Sequence, residues 1–213
     1  MNPAHRLIFV AALIAGISYY FADAVTTDGV VHLIWKGSGV GLLALWAAIR
    51  ARSFDGWLLS AVLTLGAIAD VVIEAAGTVA GGAIFFAGHL VAVWLYLRNR
   101  RAASSEDYMI AALMLIAIPL AAWLLPDDRA AAGQIALYAA GLGAMAAAAL
   151  LSDFPRDRIA LGAALFVASD LLIFARLGPL ATSPLPDILV WPLYFAGQAL
   201  IAHGVARSLE ART

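Results

Sequence analysis

Ten polar or ionisable side chains stand inside stretches that are otherwise almost wholly apolar: Lys36, Asp70, Glu74, His89, Tyr138, Ser169, Asp170, Tyr194, Gln198 and His203. Three buried carboxyl groups with a lysine and a histidine can do general acid/base chemistry, in which one group delivers a proton and another steadies the charge that results. Glu74 follows Asp70 by four residues, and Gln198 follows Tyr194 by four, so each pair shares one face of its helix. His89 with Asp70, Glu74 and Asp170 would also make a ligand set for a metal. Against that, only one deep histidine exists and no H-E-x-x-H pair occurs, so neither a metal nor another cofactor is expected. Cysteine is absent, which excludes thiolate catalysis, disulfides and cysteine-held metals.

The elements that must position these residues are membrane helices. Apolar residues make up 64% of the 213 and charged residues 13%, well outside the balance of a water-soluble domain of this length. Apolar segments at about 5–22, 31–49, 56–76, 81–97, 107–125, 131–151, 157–176 and 186–206 are each long enough to cross ~30 Å of hydrocarbon as a helix. Backbone groups in lipid must be satisfied within their own segment, and no period-2 barrel pattern is present, so the expected fold is an all-α bundle of eight transmembrane helices forming one integral domain over 1–213. The first segment, with Arg6 before it and Ala22-Asp23-Ala24 after it, would also suit a cleaved leader. The even helix count keeps it as the first helix. A net charge of -1 and the lack of a basic run argue against a nucleic-acid partner.

Arginines sort by loop. One end of the bundle carries Arg6, Arg50, Arg52, Arg98, Arg100, Arg101, Arg156, Arg158, Arg207 and Arg212, the other only Arg129 and Arg176. The positive-inside rule then puts both termini in the cytoplasm, and the setting expected is a bacterial inner membrane. Counted at 1.5 Å per residue from the opposite helix ends, Lys36, Asp70, Asp170, Tyr138, Tyr194 and His89 lie about 8 to 12 Å deep, in one layer of the extracytoplasmic half. His203 is nearer the inner interface and reads as structural, while Tyr19, Tyr20, Trp57, Trp94 and Trp123 read as interfacial anchors, as do Arg129 and Arg176. A charge within the span costs about 3 kcal/mol or more, too much for helix association alone to explain two aspartates, a glutamate and a lysine.

The sequence also carries an internal echo. Gly66-Ala-Ile-Ala-Asp70-Val-Val-Ile and Phe85-Phe-Ala-Gly-His89 are answered by Val167-Ala-Ser-Asp170-Leu-Leu-Ile and Tyr194-Phe-Ala-Gly-Gln198. Setting Gly39-Val-Gly41 against Gly141-Leu-Gly143 places Lys36 opposite Tyr138. Two repeats, 1–103 and 104–213, of four helices each would share one membrane orientation about an axis along the membrane normal. Asp70 with Asp170, His89 with Gln198 and Lys36 with Tyr138 would then ring a common cavity.

At these residues the chain resembles the YhhN family of membrane proteins, whose characterised members are lysoplasmalogenases. Gly162-Ala-Ala-Leu-Phe166-Val-Ala-Ser169-Asp170 is similar to the family's G-A-x-L-F-x-x-S-D. Asp70, Phe85-x-x-x-His89, Tyr138 and Tyr194-x-x-x-Gln198-x-Leu-Ile201 extend the likeness along nearly the whole chain. Three positions depart from the pattern: Gly37 stands where the family usually has proline, Ala69 where it has glycine, and Gly197 where it has alanine. The resemblance implies hydrolysis of the vinyl ether bond of a lysophospholipid, giving a fatty aldehyde and glycerophospho-ethanolamine or glycerophospho-choline. That reaction needs one neutral carboxylic acid and one ionised carboxylate, for which Asp70 and Asp170 are the pair, Lys36 lying beside the ionised one. His89 would relay protons or orient water. Tyr138, Tyr194, Ser169 and Gln198 would donate to a carboxylate or to the leaving glycerol oxygen, and Lys36 could instead take the lipid phosphate, with Glu74 at the rim. A proton-coupled or small-solute transporter is the rival reading, but it needs a polar path to both faces, and the inner half is nearly bare of ionisable residues.

Overall fold

The computed structural model describes residues 3–212 and is helical, with no strand among the described residues. The described residues form eight long helices: α1 (Pro3–Tyr19), α3 (Gly29–Arg50), α4 (Phe54–Ala76), α5 (Thr78–Arg98), α6 (Ser105–Leu124), α7 (Arg129–Leu151), α8 (Ile159–Ala175) and α9 (Leu185–Glu210). A single-turn α2 (Ala22–Val25) follows α1. Six of the long helices are long and apolar enough to cross a membrane, and α1 and α8 are apolar helices of 17 residues. The chain divides into two compact units, Met1–Ala92 with Ile201–Thr213, and Val93–Leu200, the boundary falling within α5 and within α9.

Helix starts are written in the sequence as caps. Asp28 accepts from the amides of Val30 and Val31, Ser53 from Gly56, Asp128 from Ala130, and Ser104 forms a reciprocal capping box with Asp107. Three ends differ from the apolar segments by three residues or more. The first helix stops at Tyr19 rather than 22, because the chain turns at Tyr20 and Phe21 and rewinds as α2, which presents Asp23 to His32. Helix α5 begins three residues early, since Gly77 takes φ 92°, a left-handed conformation that only glycine adopts without strain, and reverses the chain at once. Helix α9 runs on to Glu210, where Arg50 holds its last side chain.

In the first unit α3 packs on both α1 and α4. Small residues set the separations. A Cβ at Gly37 would lie 2.7 Å from Val71 Cγ2, and one at Gly81 would lie 2.9 Å from the Ala69 carbonyl, so α3 and α5 both approach α4 more closely than any larger residue allows. The core centres on Val40, Leu43, Trp46, Leu59 and Leu63. His203 belongs to it, stacked on Trp46 and tilted against Phe9.

In the second unit α6 packs on α7, and α7 on α8. A Cβ at Gly143 would meet the Met114 carbonyl at 3.1 Å, and one at Gly197 would lie 2.6 Å from the Gly162 carbonyl, which brings α9 against α8. Loops are pinned at each helix end: Asp107 pairs with Arg101 and Arg156, Arg176 with Asp187, and the Asp127 amide donates to the Leu177 carbonyl. Arg129 donates to the carbonyls of Trp123 and Pro126 and lies over the Trp123 ring, closing the end of α6.

Candidate functional site

In the first unit, Lys36 stands on α3, Asp70 and Glu74 on α4 and His89 on α5. Lys36 Nζ donates to Glu74 Oε2 at 2.7 Å. The lysine is mostly covered and the glutamate about half exposed, as expected for a pair one turn from the end of α4. The carboxylate paired with Lys36 is therefore the glutamate, whereas the chemistry implied by the resemblance set Lys36 beside an aspartate. The close approach at Gly37 makes this possible, because it draws the α3 backbone beside Lys36 onto α4. Asp70 is 3% exposed and His89 4%, both inside the unit. His89 lies one turn after Phe85, ring on ring at 6.5 Å.

In the second unit the Tyr138 hydroxyl of α7 donates to Asp170 Oδ2 of α8 at 2.7 Å. Asp170 is 5% exposed. Its neighbours one turn away on α8 are Phe166 and Phe174, and each meets a tyrosine edge-on: Phe166 meets Tyr194 and Phe174 meets Tyr138. The carboxyl group is thus framed by aromatic rings on one helix face and oriented by a single phenol. Ser169 is buried and donates to the Val190 carbonyl of α9 at 2.9 Å, tying the two helices together beside Asp170. Gln198 Nε2 donates to the Tyr194 hydroxyl, 3.4 Å away on the same helix face. In each unit, then, a deeply buried aspartate stands on a helix that a neighbouring glycine lets another helix approach closely: Asp70 on α4, met by Gly37 and Gly81, and Asp170 on α8, met by Gly197.

Three residues near this chemistry escaped the sequence reading. Tyr19 was read as an anchor, yet its hydroxyl lies 3.4 Å from His32 Nδ1 and within the fields of Glu74, Asp23 and Asp70. His32 Nε2 in turn lies 2.9 Å from Asp23 Oδ1. The signal was available in part: His32 precedes Lys36 by four residues and so shares its helix face. Its link to Tyr19 and Asp23 depends on the turn that forms α2. Among the described residues no group of three or more histidine, aspartate or glutamate side chains is arranged to hold a metal ion.

Long apolar helices that carry buried carboxyl, phenol and imidazole groups define the class: a polytopic helical membrane protein with ionisable side chains inside its bundle. The family model described as YhhN family matches residues 31–205, and the chain belongs to that family. All nine candidate residues from Lys36 to Gln198 lie within the match, whereas Tyr19 and Asp23 precede it. Neither the curated proteins nor the solved structures contain a match to the chain.

Proposed function

We propose that the protein is a membrane-embedded hydrolase that cleaves the vinyl ether bond of a lysoplasmalogen, releasing a fatty aldehyde and glycerophospho-ethanolamine or glycerophospho-choline. Asp70 and Asp170 divide the work. The protonated one delivers its proton to the β-carbon of the vinyl ether, whose π electrons form the new C–H bond and leave an oxocarbenium ion. The ionised one steadies that cation and takes a proton from the water that adds to it. The hemiacetal then collapses: the aspartate that gave the first proton takes the hemiacetal hydroxyl proton, the C–O bond to glycerol breaks, the other aspartate protonates the glycerol oxygen, and the aldehyde leaves. One water is consumed and the carboxyl pair returns to its starting protonation. His89 orients that water, Tyr138 fixes Asp170, and Lys36 with Glu74 meets the polar headgroup, the alkenyl chain entering from the bilayer.

The observation that supports this reading most is the hydrogen bond from Tyr138 to Asp170, because a buried carboxyl group aimed by one phenol and framed by rings suits charge stabilisation better than helix cross-linking. We read the arginine-rich helix ends as cytoplasmic and the site as lying in the extracytoplasmic half. The test is hydrolysis of a vinyl ether lysolipid by purified protein beside its saturated ether analogue, with Asp70→Asn and Asp170→Asn as controls. Aldehyde should form only from the vinyl ether, with turnover falling about 10²- to 10⁴-fold in each variant. A wild type that leaves the vinyl ether intact, or variants that keep full activity, would sink the proposal.

A further inference from the structure

The end of α3 remote from Lys36 holds a second charged group that this function does not use. There the end of α3, the start of α4 and the end of α9 enclose a cleft lined by Arg50, Arg52, Ser53, Gly56 and Glu210, all within the first unit. Arg50 is 5% exposed, and its guanidinium lies 4.0 Å over the Trp46 ring. Its Nε donates to Glu210 Oε1 at 2.6 Å, and Nη2 pairs with the other carboxylate oxygen. Nη1 is buried and meets no acceptor among the described residues.

A guanidinium carries five donors, and a carboxylate satisfies only one edge of it, so a buried nitrogen is left without a partner at a cost that a larger anion would remove. The surroundings fit an anion. Arg52 is exposed at the cleft, the first turn of α4 opens there with Ser53 as its cap, and the charges of Arg207 and His5 also reach Glu210. Glu210 is itself about two-fifths exposed and is the last residue of its helix.

We propose that this cleft is a binding site for a phosphate group, whether the headgroup of an anionic lipid or free phosphate, and that Glu210 is an internal occupant which the phosphate displaces. Arg50 and Arg52 line the same cleft, so the extra oxygens of a phosphate would serve both guanidinium groups, where Glu210 serves only Arg50. The arginine-rich ends of α1, α3 and α9 would sit at an anionic leaflet, which raises the local supply of such headgroups.

Native mass spectrometry of the detergent-purified full chain tests this, with phosphatidic acid, phosphatidylglycerol and phosphatidylcholine titrated separately and inorganic phosphate added as competitor. The anionic lipids should bind at least several-fold more tightly than phosphatidylcholine. Glu210→Gln removes the competing carboxylate and should tighten binding several-fold, while Arg52→Gln, at an exposed position outside the core, should weaken it several-fold. Displacement of the lipid by millimolar phosphate would make the free ion an occupant too, and resistance to displacement would assign the site to lipid alone. Equal binding of anionic and zwitterionic lipids, or affinities unmoved by Glu210→Gln and Arg52→Gln, would overturn the assignment. Because both variants leave the aspartates unchanged, the outcome is independent of the hydrolase reading.

Discussion

Tyr138 carries the most informative single contact in the protein. Replacing it by phenylalanine removes the hydroxyl that Asp170 accepts at 2.7 Å while keeping the ring that meets Phe174. A hydrogen bond to a charged group is worth about 1.5 to 3 kcal/mol, so Tyr138→Phe should lower turnover roughly ten- to a hundredfold and also cost about 1 to 3 kcal/mol in unfolding, because Asp170 is left a buried acceptor without its donor. An unchanged rate would show that the phenol does not orient the reacting carboxylate. The Lys36–Glu74 pair invites a different measurement, since the glutamate is about half exposed and the bond is screened. A double-mutant cycle with Lys36→Met and Glu74→Gln, read by thermal unfolding, should give a coupling of only about 0.5 to 1 kcal/mol. A headgroup role would raise KM in Lys36→Met well beyond what that small coupling explains. Residue types and four-residue spacings announced these side chains in advance. The partner of Lys36 could not be read that way, because Asp70 and Glu74 share one helix face and only the α3–α4 contact at Gly37 selects the glutamate.

At the scale of the helix, glycines rather than large apolar residues set the geometry around the site. The α-carbon of Gly197 faces the backbone of Gly162 so closely that a Cβ would sit 2.6 Å from the carbonyl. Gly197→Ala should therefore force α8 and α9 apart, cost about 1 to 3 kcal/mol in unfolding, and weaken the Ser169 bond to Val190. An unchanged melting temperature would mean that the two helices separate without penalty. The positions of the helices were legible because apolar length and capping residues mark them. Their exact ends were less so: α9 continues to Glu210 through an ion pair with a residue 160 positions away, and α5 starts early because one glycine turns the chain.

For the molecule as a whole, orientation follows from charge and can be measured directly. The chain has no cysteine, so single substitutions give clean labels. With a membrane-impermeant maleimide on intact cells, Thr182→Cys, in the exposed loop before α9, should label, and Ala102→Cys, in the exposed loop before α6, should stay protected until the cells are opened. The reverse pattern would invert the topology and move the candidate site to the cytoplasmic half. Apolar length, capping residues and residue types along the chain are enough to establish a helical membrane protein, where its long helices run, and which few side chains are too costly in lipid to be incidental. These follow from transfer energy and helix periodicity, which act locally along the chain. Tertiary packing alone selects Glu74 as the partner of Lys36, sets Tyr138 on Asp170, and brings Tyr19 beside His32 and into the field of Glu74. Such choices turn on backbone approaches of a few ångströms between helices distant in sequence, and no spacing along one helix encodes them.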